Sequence, residues 1–225
     1  MCGRIASNIS GAEQILEQFG LRSLSVDFQP RYNIAPGQDV LAVTQNRQGE
    51  RQATYLRWGL LPAWAKDPAI ANKMINARAE TVAEKPSFSL ALRHRRCVIP
   101  ATGFYEWLHH GKQKTPYYLS LESGAPMALA GLWEEWHGPQ ALITRSFTVL
   151  TTQANSLVEP IHNRMPVIVR PEMLDAWLDH SVYDLPLLTQ MMQPYPAEGM
   201  SAHAVSDLVN SPQHDVPACI APVAV

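Results

Sequence analysis

The second residue of this chain is a cysteine, in the run Met1-Cys2-Gly3-Arg4. Removal of Met1 would leave Cys2 with a free α-amine and a thiol on adjacent carbons. An α-amine titrates at about 7.7–8.0, so part of it is neutral and nucleophilic at physiological pH. A thiol, ordinarily at about 8.5, is activated where a neighbouring cation lowers its pKa. Together the two groups trap an aldehyde: the amine forms an imine, and sulfur closes a five-membered thiazolidine ring. Neither group alone gives so stable an adduct. The plainer reading is a buried or incidental cysteine that follows the initiator. Gly3 favours the reactive one, because it lets a ligand approach the backbone closely.

Three further clusters carry groups such chemistry could use. In Met74-Ile75-Asn76-Ala77-Arg78-Ala79-Glu80-Thr81, strand alternation puts Asn76 and Arg78 on one side. An amide and a guanidinium so placed can orient a polar group and clamp a phosphate, or can be ordinary surface polarity. In Gly103-Phe104-Tyr105-Glu106-Trp107 the carboxyl stands between two aromatic residues. Desolvation there would raise its pKa and fit it for acid–base work, unless Glu106 turns to solvent while the rings pack inward. In Ile161-His162-Asn163-Arg164-Met165-Pro166, His162 could move a proton and Arg164 could hold a phosphate. The other seven histidines read as caps or core. Asp207 and Asn210 fit either the surface or a supporting role.

These clusters need a scaffold, and the sequence predicts one rich in strands. Ile15, Leu16 and Phe19 share a face of a short helix ending at Gly20. Arg31–Gly37 reads as an extended run entering a Pro-Gly turn. Strands are expected over 40–44, 54–61, 96–99, 117–121, 127–133, 147–152 and 166–169. Helices are expected around 87–93, from Pro171 with Leu174, Trp177 and Leu178 on one side, and over 185–192. Trp58 and Trp133 read as core. Trp64, in a loop, is the best tryptophan for stacking on an unpaired base. The Arg93–Arg96 run reads as a solvated helix end.

The chain has 225 residues, 46% of them hydrophobic and 17% charged, with a net charge of −2. That is enough to bury a core in one domain. It gives no global field for nucleic acid, so any such site must be a local grouping of arginines. Three widely spaced cysteines form neither a disulfide framework nor a zinc pattern. No leader or membrane-spanning run is visible, so a reducing, cytoplasmic setting is expected, without membrane contact.

Six motifs, taken in order, resemble the SOS-response-associated peptidase family of abasic-site processing proteins. They are Met1–Arg4, Arg31–Gly37, Trp58-Gly59-Leu60, Ile75–Thr81, Gly103–Trp107 and Ile161–Pro166, with a weaker match at His203–Ser206 and Asn210. One motif would be weak, but the ordered set is specific. The resemblance implies a single compact α+β domain over residues 1–225, with a β-rich core, peripheral helices and a basic groove for single-stranded DNA. It implies that Met1 is lost, with self-processing as the sense of the family's peptidase label, and that Cys2 then crosslinks ring-opened abasic sites. Asn76 would position the Cys2 amine, Glu106 would assist proton transfer, and His162 would promote sugar opening. Arg4, Arg78 and Arg164 would hold flanking phosphates, while Asn33, Pro36 and Thr151 would line the same pocket. Asn163 stands where relatives often carry an acid, which bears on how His162 is oriented.

No metal, cofactor or obligate protein partner is expected, and the chain should be monomeric. An N-terminal-nucleophile glutamine amidohydrolase would also begin Met-Cys-Gly, but predicts ammonia release and a coupled synthetase domain. A non-catalytic single-strand-binding module predicts indifference to Cys2→Ala.

Overall fold

The computed structural model describes residues 2–24, 26–46 and 48–223. Among these, the strands in the first half are β1 (Ile5–Ser7), β2 (Arg31–Ile34), β3 (Asp39–Gln45), β4 (Arg51–Trp58), β5 (Asn76–Arg78), β6 (Arg96–Ala101) and β7 (Gly103–His110). The second half adds β8 (Gln113–Leu121), β9 (Met127–His137), β10 (Ile143–Gln153), β11 (Arg164–Pro166), β12 (Ile168–Val169) and β13 (Met200–Ala204). The α-helices are α1 (Ala12–Phe19), α2 (Ser89–His94), α3 (Leu174–Leu178) and α4 (Leu185–Met191), none long and apolar enough to cross a membrane.

One sheet runs β13-β8-β7-β1-β2 and the other β11-β10-β4-β3-β6-β9-β12. Because β10 also pairs with β9, the second sheet closes into a barrel. The barrel wall is apolar on both faces, which explains the continuous hydrophobic run of β3. Val40 and Ala42 join the core shared with Ile5, Ile34 and Phe104 of the first sheet. Leu41 and Val43 pack instead with Ile15, Phe19, Leu92 and Trp177 under the helices. This is the α+β architecture expected, with helices at the periphery.

Two expected strands are trimmed for local reasons. The 54–61 run stops at Trp58, because Gly59 takes φ 122° and an added Cβ there would meet the Ala71 carbonyl oxygen at 2.8 Å. The 166–169 run divides at Val167, with β11 on β10 and β12 on β9.

The Arg93–Arg96 run is corrected more deeply, since Arg96 is fully buried. Its guanidinium donates to the carbonyls of Trp177 (2.5 Å), Leu92 (2.8 Å), Arg93 and Val182 (both 3.3 Å), and Asp179. It thereby caps α2 and ties it to the segment after α3. Arg96→Ala is expected to lower the unfolding free energy by about 3 kcal/mol or more, by orphaning these carbonyls and leaving a cavity. Arg96→Lys should recover little, since an ammonium cannot reproduce the planar fork. The shift in urea midpoint measures both.

Candidate active site

Strand β1 delivers Cys2. Ile5 pairs with Ile34 on one side and Phe104 on the other, and the Arg4 carbonyl accepts from Tyr105 N at 3.0 Å. Continuing that register sets Gly3 opposite Glu106. Phe104 points into the core between the sheets, and alternation sends Glu106 to the same face. Cys2, wholly buried, belongs to that core.

Asn76 arrives from the other sheet. β5 runs parallel to β10, with Asn76 opposite Val149 and Arg78 opposite Thr151. Asn76 Nδ2 donates to the Cys2 carbonyl at 2.8 Å. Its Oδ1 is buried and has no hydrogen-bond partner among the described residues. Arg78, on the same side, is exposed.

His162 ends a turn held by Asn155, whose Oδ1 accepts from Leu157 N and Val158 N and whose Nδ2 donates to the Tyr195 carbonyl. His162 Nδ1 lies 3.0 Å from Arg164 N and 3.2 Å from the Arg164 carbonyl oxygen, so in the neutral form it bonds one or the other according to its tautomer. Burial lowers its pKa, favouring that neutral form. Arg164 grips Glu80 with two nitrogens, at 2.5 and 2.9 Å, and also donates to the Thr151 carbonyl. The Arg164 hydrogen bond holds the Glu80 carboxyl below its usual range.

Burial pushes the Glu106 carboxyl up to about 6, as its aromatic setting suggested. The Cys2 thiol is also pushed up, by burial first and then by the nearby Glu106 charge. This runs against the expectation of a thiol activated by a cation, because burial and the Glu106 charge outweigh the influences that lower it. Met1, and therefore its removal, lies outside the described residues.

Cys2, Asn76, Glu106, Arg78, Thr151, His162 and Arg164 thus sit on the facing ends of β1, β5, β7, β10 and β11. Arg4 and Asn33 do not join them. Each precedes an inward isoleucine, so each points to the opposite face of the first sheet. There Arg4 donates to Asn33 Oδ1 at 2.6 Å, and Asn33 is fully buried. Pro36 is half-buried in the turn closed by Gly37, which has φ 86°. Trp64, 59% exposed, stands on a separate loop beside Lys66 and Lys73. Glu80, Asn155 and Asp215 were not foreseen. Glu80 lay within a noted motif, two residues beyond Arg78 in the same alternation.

The family described as SOS response associated peptidase (SRAP) matches residues 1–212. The chain is 44% identical over 223 residues to "Abasic site processing protein YoqW" of Bacillus subtilis (strain 168), covering 98% of this chain and 99% of that one. It is 31% identical to "Abasic site processing protein HMCES" of Xenopus tropicalis, covering 87% of this chain and 67% of that one. A crystal structure of a Bacteroides thetaiotaomicron protein superposes with a TM-score of 0.89 at 25% identity, over 99% of this chain and all of the other.

Proposed function

Because the chain belongs to the SOS response associated peptidase family, we propose that it processes abasic sites by covalent capture, through Cys2, of the ring-opened sugar in single-stranded DNA. The observation that carries this reading is the convergence of Asn76 and Glu106 on Cys2, the one residue that can become a 1,2-aminothiol. Once Met1 is gone, the α-amine attacks the aldehyde and water leaves to give an imine. The S–H bond then adds across C=N, sulfur to carbon and proton to nitrogen. A thiol kept protonated by burial suits this order, with the amine acting first. Glu106, poised near neutrality, relays the protons. The Asn76 amide holds the Cys2 backbone and leaves its Oδ1 for the new amine. His162 exchanges a proton with the sugar hydroxyl and aids ring opening. Peptidase activity is confined to the release of Met1.

Arg78 and Arg164 would meet phosphates, with Thr151 lining the pocket and Trp64 stacking on an unpaired base. Single-stranded substrate spares the cost of extruding the sugar from a duplex. Arg78→Ala should weaken binding equally across sequences and reduce the salt slope of log K by about 0.7, the single-strand value for one phosphate. Fluorescence anisotropy over a salt series measures it.

The deciding experiment mixes purified protein with a single-stranded oligonucleotide bearing one abasic site, followed by a denaturing gel and intact-mass measurement. A heat-stable shifted band from protein lacking Met1 is expected. No band from such protein would sink the reading, and ammonia release from glutamine would then be measured.

A further inference from the structure

The C-terminal segment, residues 206–223, lies behind β1 on the face away from Cys2. It packs there through Val209, which joins Ala6, Tyr105 and Tyr118 in a small core, with Ile220 against it. Polar connections fasten it. The Arg4 guanidinium, which stacks over Trp107 at 5.9 Å, donates to the Val209 carbonyl as well as to Asn33. Asn33 Nδ2 reaches the carbonyls of Ser211 (2.9 Å) and His214 (2.6 Å). Asp215 closes the loop: its Oδ1 accepts from Tyr32 N (2.5 Å) and Asn33 N (3.0 Å), and its Oδ2 accepts from Arg31 Nε. Asn210 Oδ1 also accepts from Trp107 Nε1 at 2.8 Å.

We propose that Asp215, Asn33 and Arg4 are positioning residues: they lock the C-terminal strap behind β1 and β2, and this lock fixes the Cys2 backbone against Asn76 and Glu106. The argument is one of faces and length. β1 is three residues long and pairs with β2 and β7 at only two positions each. Its hydrogen bonds alone hold its N-terminal extension weakly, so a backing that grips the residue two places after Cys2 governs where Cys2 lies. Arg4 is 9% exposed and Asn33 wholly buried, so neither offers a donor to a phosphate without dismantling the lock. Asp215 lies beyond the residues the family description matches, at 1–212.

The proposal rests on the covalent-capture reading, and its test separates the two. Crosslinking rates are measured against oligonucleotide concentration for wild type, Asp215→Ala, Asp215→Asn, Asn33→Ala and Arg78→Ala. Alkylation of Cys2 by iodoacetamide is followed in parallel by peptide mass. Asp215→Ala and Asn33→Ala should lose about tenfold to a hundredfold in rate at saturating oligonucleotide, the scale of a misplaced reacting group. Their half-saturating concentration and salt slope should stay at the wild-type values, and Cys2 alkylation should quicken. Asp215→Asn keeps an Oδ1 for the two backbone donors and should restore most of the rate, which a general loss of folding would not. Loss of affinity and salt slope matching Arg78→Ala would overturn the proposal in favour of DNA contact. So would unchanged saturating rates, or unchanged alkylation of Cys2. Absence of any crosslink from wild type would instead defeat the capture reading, while alkylation would still report on the lock.

Discussion

Cys2→Ala protein is expected to give no heat-stable adduct with abasic single strands, yet still to be fixed on them by borohydride. Alanine retains the α-amine once Met1 is removed, so the aldehyde can still condense to an imine. What it lacks is the sulfur that converts the imine to a ring. Reduction by borohydride turns C=N into a stable amine and makes the intermediate visible. The imine also has longer to eliminate the 3′ phosphate, so strand scission should increase. A denaturing gel with and without borohydride reads all three outcomes, and intact mass establishes that the amine is free. If no reduced adduct forms, the amine is not the first nucleophile and the proposed order of steps fails.

Glu106→Gln should slow formation and reversal of the adduct by the same factor, about a hundredfold or more, as expected when a positioned acid–base group is removed. The final extent of crosslinking should not change, because a proton relay acts on both directions alike. The pH dependence gives a second signature. Between about pH 6 and 8 the rate should climb as the amine, near about 7.7–8.0, loses its proton. Below about 6 wild type should fall more steeply as Glu106 protonates as well, and the glutamine variant should not. Stability moves the opposite way. A carboxyl whose pKa is raised by burial destabilises the fold as pH rises through about 6. Relief of that burden in the variant is worth about 2 kcal/mol at most above that pH. A variant that is slower but melts higher at pH 7–8 excludes misfolding as the cause.

The strands of the barrel were legible because they are dense in β-branched and apolar residues, and the four reactive clusters because they carry unusual types at tight spacing. The facing of Arg4 and Asn33 was also written there. Each is followed by isoleucine, Ile5 and Ile34, and two buried isoleucines on neighbouring strands put their predecessors on the other face. Arg96 could not be read, since nothing in a basic run announces that one of its members will be sealed under the Trp177 and Asp179 carbonyls. The strap carrying Asp215 was hidden for a different reason. It has no periodicity, and its partners Tyr32 and Asn33 lie 183 and 182 residues away.

Sequence distance has a consequence for when this chemistry becomes available. The contact between Asn76 and Cys2 spans 74 residues, and the grip on Arg4 from Val209 spans 205. Loops of that length close late, because their entropy must be lost before the contacts repay it. On the covalent-capture proposal, the groups that aim and accelerate Cys2 therefore come together only once these long-range contacts have closed. A nascent or partly unfolded chain with a free N-terminus has just the intrinsic reactivity of any terminal cysteine. On that proposal the acceleration belongs to the folded state, so unfolding should withdraw it as a whole and leave no half-active fragment to scavenge cellular aldehydes.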